Sequence, residues 1–107
     1  MSCVYQHEAL DFSCVSQVVQ RVIAGKIDVL TGRMLLKQID SGLATFGPPD
    51  LVVSLAASQS VETPSAVAAE IQAIVDNDGS QVSAASLITV VALLWKLWTL
   101  IQPLIKD

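Results

Sequence analysis

Charge is what this sequence has least of: Asp, Glu, Lys and Arg make up 15% of its 107 residues, where an ordinary globular domain carries about 25%. Cysteine is almost as scarce. Cys3 and Cys14 are too few for the multi-bridge framework of small secreted scaffolds, so two free thiols in a reducing, cytoplasmic setting are the expectation. The single histidine, His7, leaves no second imidazole for a zinc pair. No glycine-rich phosphate loop and no GxSxG elbow occurs. The segment Met1-Ser2-Cys3-Val4-Tyr5-Gln6 has no basic stretch followed by an apolar run, so no secretory signal is expected, and Cys3 sits in no lipidation motif.

The few charges are unevenly placed. Arg21, Lys26, Arg33 and Lys37 are four of the six basic residues, and no Lys or Arg falls between Gln38 and Trp95. That middle stretch instead carries Asp40, Asp50, Glu62, Glu70, Asp76 and Asp78. Such a dipolar chain either steers head-to-tail contacts between copies or matches its charges within one fold. Four scattered bases in a chain of net charge −4 form no phosphate-tracking stripe, so nucleic acid is disfavoured as a partner.

Apolar residues are abundant, at 52% of the chain, with a mean hydropathy of +0.58. The length suits one domain spanning residues 1–107, with room for a single modest core. A small interior cannot hide so much apolar surface with ease, which points to a protein partner, a homo-oligomer or a bilayer.

The punctuation predicts an all-α fold, a small compact bundle of four to five helices. The first runs from Asp11 or Ser13 to Ala24, with Phe12, Val15, Val19, Val22 and Ile23 at helical spacing and Gly25 after it. The second is capped by Asp28, with Leu30, Met34, Leu35 and Ile39 as its inner face and Ser41-Gly42 as its stop. Gly32 within it costs about 1 kcal/mol relative to Ala and suggests close approach of another backbone. Phe46-Gly47-Pro48-Pro49-Asp50 breaks the pattern, and Asp50 then caps a short helix through Leu51, Val52, Leu55 and Ala56. Thr63-Pro64 starts a fourth helix, with Val67, Ile71, Ile74 and Val75 on its face. Asp76-Asn77-Asp78-Gly79 stops it, and reads as a turn because a calcium loop needs further spaced oxygen ligands.

The last segment, 84–105, is a long, strongly apolar helix capped by Ser80 or Ser83. Its polar residues Thr89, Lys96, Thr99 and Pro103 share an arc of roughly 80° at 100° per residue. Opposite lie Leu87, Val90, Leu94, Leu97, Trp98, Ile101 and Ile105, the candidate interface residues. Three placements fit: the centre of a bundle with the polar stripe at the surface, a contact helix against a copy or partner, or a membrane element. Leu87, Leu94 and Ile101 repeat every seven residues, and Val90, Leu97 and Leu104 follow in the companion position. Trp95 and Trp98 suit interface anchors. Twenty-two residues reach roughly 33 Å, enough to cross a bilayer, but Lys96 near the middle costs about 2.5 to 3.5 kcal/mol there. A shared aqueous lumen, or Lys96 snorkelling to an interface, would remove that cost.

One catalytic-looking constellation occurs: His7, Asp11 and Cys14 at i, i+4 and i+7. A ladder along one helix is not the convergent geometry a nucleophile, base and orienting acid require, so it reads as a polar flank leading to a buried cysteine. No enzymatic activity, cofactor, metal or small-molecule substrate is expected. The expectation is a non-enzymatic interaction or assembly module, a structural subunit or adaptor, that buries its C-terminal helix against a partner or a copy. The alternative is a membrane-associated protein, tail-anchored or pore-forming, that uses the same helix.

Overall fold

The computed structural model describes residues 10–46, 49–78 and 83–105. Five helices follow in order: α1 (Phe12–Ile23), α2 (Val29–Phe46), α3 (Pro49–Ala57), α4 (Pro64–Asp78) and α5 (Ala84–Ile101), with a 3₁₀ turn at Gln102–Leu104. No strand interrupts them among the described residues. The architecture is all-α, as the periodicity predicts.

Capping explains most of the boundaries. The Asp11 carboxylate accepts from the backbone N–H of Ser13 at 2.9 Å and of Cys14 at 3.4 Å, satisfying donors that the first turn leaves without helical partners. At the other end of α1, Gly25 adopts φ +76°. The Lys26 N–H reaches Arg21 O at 2.8 Å and the Gly25 N–H reaches Val22 O at 3.0 Å, the paired bonds of a Schellman stop. Two residues later Asp28 caps α2, accepting from the Thr31 N–H at 2.8 Å. Thr63 caps α4 through the Ala66 N–H at 3.3 Å, and Ser83 caps α5 through the Ser86 N–H at 3.3 Å. His7 and Cys3, like the Gly79 and Ser80 named as stop and cap, lie outside the described residues.

Four helices form a square: α1 beside α2, α2 beside α5, α5 beside α4, and α4 beside α1. α1 and α5 occupy one diagonal, α2 and α4 the other. α3 lies outside the square and packs on α5. The main core takes Val15, Val18 and Val19 from α1, Leu35 and Ile39 from α2, Val67 and Ile71 from α4, and Leu93, Leu94, Leu97 and Ile101 from α5. A second, smaller cluster of Val52, Val91 and Ala92 holds α3. The radius of gyration, 12.4 Å, sits close to the ~13 Å expected of a closed domain of about this length, so α5 does not project.

Four expectations are corrected. Ser41-Gly42 does not end α2, which continues to Phe46; a β-carbon at Gly42 would overlap the Cγ2 of Val91, so this glycine admits α5 rather than turning the chain. Leu30 and Ile23 face solvent, at 39% and 51% exposure; in α2 the buried stripe keeps the expected Met34, Leu35 and Ile39 but takes Thr31 in place of Leu30 and adds Gln38. The α-helix of the last segment ends at Ile101 rather than 105, since Pro103 has no N–H to continue it. Cys14, enclosed near the start of α1, is disulfide-bonded rather than a free thiol.

Asp28 gives the fold an acid-sensitive corner. Hydrogen bonds from the Thr31 N–H and hydroxyl, with the Arg21 guanidinium 4.0 Å away, hold its carboxyl below the ordinary value. A depressed folded pKa stabilises fully above the unfolded value and is lost as pH falls through the folded one. Asp28→Asn, which keeps an acceptor but no titrating group, should therefore differ from wild type in melting temperature by a constant amount above the ordinary carboxylate range and converge with it as pH falls through the depressed folded value. Parallel melts across that range check it; curves that stay parallel to the acid end would remove Asp28 from the account.

Candidate interaction surface

α5 touches three helices at once, and its sequence explains how. Val90, Val91, Ala92, Leu93, Leu94, Leu97 and Ile101 are all 0–1% exposed, which no single flanking helix can achieve. Burial of each large aliphatic side chain contributes about 1.5 to 3 kcal/mol, so α5 is the densest source of core stabilisation in the chain. Of the candidate interface residues, Val90, Leu94, Leu97 and Ile101 are enclosed by the chain's own helices, while Leu87, Trp98 and Ile105 are half-buried. Trp98 and Ile105 lie against Gly32, whose missing side chain makes room for them: a β-carbon there would stand 2.8 Å from Ile105 Cδ1 and 3.4 Å from Trp98 Cζ3. The close approach that Gly32 suggested is made by side chains, not by a backbone.

The polar stripe behaves as a surface ribbon. Thr99 is exposed, while Thr89 and Lys96 are half-buried. The Thr89 hydroxyl donates to Ala85 O at 2.9 Å and that of Thr99 to Lys96 O at 2.7 Å, so both satisfy themselves on their own helix. Lys96 lays its stem along α5 and donates from Nζ to Gln59 O at 3.4 Å. That contact ties α5 to the connector leaving α3.

Beside this ribbon α3 and α5 leave a groove of about 200 Å³ lined by Val53, Ala56, Ala57, Trp95, Lys96 and Thr99. Val53 is 42% exposed at this groove, and Leu51, two residues earlier and so on another side of α3, is 48% exposed. α3 is thus apolar on two sides: Val52 and Ala56 seal α5, and Leu51 and Val53 meet water. A wider cleft of about 400 Å³ lies at the end of α1, lined by Gln17, Gln20, Arg21, Ala24 and Lys26. It brings together amides and cations without a nucleophile. Among the described residues no three of His, Cys, Asp and Glu gather as metal ligands would. Asp11, from the catalytic-looking triplet, is committed to capping α1, and Cys14 is enclosed in the core.

Sequence reasoning missed Gln38. Its side chain is fully buried, and Oε1 accepts from the Asp11 backbone N–H at 2.8 Å across 27 residues. This bond fixes the start of α1 against the middle of α2, and the Nε2 of the same amide has no partner among the described residues. The signal available in the sequence was its place in the stripe Thr31, Leu35, Gln38, Ile39, which a rule assigning only apolar residues to the interior passes over.

Comparison with protein-family models, curated proteins and solved structures finds no match to this chain. The class that the fold itself defines is a small all-helical bundle built around an apolar last helix.

Proposed function

We propose that this chain is a non-enzymatic interaction or assembly module whose contact surface is the groove between α3 and α5. The observation that carries this reading is the exposed Val53 of α3, which lines the groove together with the half-buried Trp95. Aliphatic side chains around a partly desolvated indole make an anchor for another chain or a second copy, and Lys96 at the groove wall favours an acidic group on whatever docks. Most of the apolar circumference of α5 stabilises the bundle, and only the Trp95–Thr99 side remains for contact.

Val53→Glu tests this reading because position 53 already meets water, so the helices are retained. Light scattering across a concentration series should show the wild type gaining mass and the variant associating at least about tenfold more weakly, with unchanged circular dichroism. Equal masses at every concentration would remove the groove from the account.

A second reading is favoured by one observation: Ala85–Leu104 is 20 residues long with a mean hydropathy of 1.7, enough by length and composition to cross a membrane. Entry into a bilayer would require α5 to leave α2, α3 and α4, exposing the core of what remains. Flotation with liposomes, run on aliquots of the same series, separates the two: lipid-bound protein that resists extraction by salt supports the membrane reading.

A further inference from the structure

The uneven charges of the sequence end on opposite corners of the bundle. α2 and α4 share a diagonal, each flanked by α1 and α5. The outward side of α2 presents Leu30, Arg33, Leu36, Lys37 and Asp40, with the two leucines 39% and 37% exposed and the Asp40 carboxylate sharing that side with the two cations. The outward side of α4 presents Ala69, Glu70, Ala73 and Asp76, all exposed. Within the described residues Arg33, Lys37 and Glu70 form no ion pair or side-chain hydrogen bond, and Asp76 accepts only from Gln72 on its own helix. A leucine-studded face on which the cations Arg33 and Lys37 outnumber the single carboxylate Asp40, and a wholly acidic face, therefore point away from each other, neither covered within the same molecule.

We infer that a second copy of this chain covers the α2 face with its α4 face, head to tail. The cations of α2 meet the carboxylates of α4, and Leu30 and Leu36 seat beside Ala69 and Ala73, where one-carbon side chains leave depressions for ridges of a neighbouring helix. Because the two patches differ, each copy keeps a free end of either kind, and the contact repeats into a ring or an open filament. The inference rests on the assembly reading above but uses a different surface from the α3–α5 groove, so the two can fail separately.

Charge exchange tests it on the full chain. Arg33→Glu with Lys37→Glu makes both faces acidic; Glu70→Lys with Asp76→Lys makes both basic. In light scattering, the wild type should gain mass with concentration, and raising the salt from about 0.1 M to about 1 M should weaken that gain because the screening length falls from about 10 Å to about 3 Å. Each double variant alone should associate at least about tenfold more weakly while keeping the wild-type circular dichroism. An equimolar mixture of the two should recover the wild-type assembly, since every α2–α4 contact in it is again of opposite sign. A wild type that stays monomeric throughout, or a mixture that does not assemble, overturns the inference. So does binding of the wild type to anionic phosphatidylserine vesicles, lost in the Arg33/Lys37 variant, in place of self-association. If Val53→Glu disperses the assembly and neither charge exchange does, the α2–α4 contact is wrong and the groove reading stands.

Discussion

Leu94→Glu is expected to abolish the cooperative unfolding transition. Leu94 is fully enclosed, at the level where α5 meets the other helices of the square. Truncating such a residue to alanine already costs about 2 to 5 kcal/mol, and an unpaired carboxylate in the same place adds several more or protonates. A domain of this size has a total stability of about 5 to 15 kcal/mol, so the glutamate variant should lack a thermal transition by circular dichroism, and Leu94→Ala should melt early but cooperatively. A Leu94→Glu protein that melts like the wild type would mean that position 94 reaches solvent, and with it that α5 is not the element the other helices are built around.

Gly42→Ala should have the next largest effect, and in the direction opposite to intrinsic helix preference. On an isolated helix the change would gain up to about 1 kcal/mol. Here the new methyl group would occupy the space of the Val91 side chain, a β-branched residue with no free rotamer to retreat into. Either α2 and α5 move apart or Val91 is strained, at a net cost of about 1 to 3 kcal/mol. Adding Val91→Ala removes both methyl groups from the contact, so the double variant should recover part of the loss, with a coupling of about 1 kcal/mol or more by denaturant titration. Gly32→Ala is the control, because its nearest neighbour is the mobile end of Ile105; its stability should lie within about 1 kcal/mol of wild type. Simple additivity of Gly42→Ala and Val91→Ala would show that the two helices cross elsewhere.

The helices were legible wherever a side chain closes a boundary locally. Asp11, Asp28, Thr63 and Ser83 cap as their types suggest, and Gly25 stops α1 with a positive φ. What could not be read was anything set by a partner far along the chain. Gly42 has the composition of a helix stop, and only the presence of Val91, in a helix about forty residues later, makes it a packing residue instead. Leu30 reads as inward on its polarity and Thr31 and Gln38 have no place in the apolar face, yet Thr31 is buried with its bonds to the Asp28 cap and Gln38 with its bond to Asp11. The candidate surface was half visible for the same reason. A helical wheel shows that α5 has one polar arc, but it does not show that α2, α3 and α4 together take up nearly all the rest and leave Trp95 at the margin.

The central position of α5 has a consequence for how the chain is made. α1, α2, α3 and α4 are synthesised before it, yet their apolar faces converge on a rod that has not yet been translated. α2 alone must wait while about fifty residues pass before Val91 exists to fill the notch at Gly42. The nascent chain can pair α1 with α2 and α4 but cannot close its core until α5 emerges, and its greasy intermediates need shielding from one another until then.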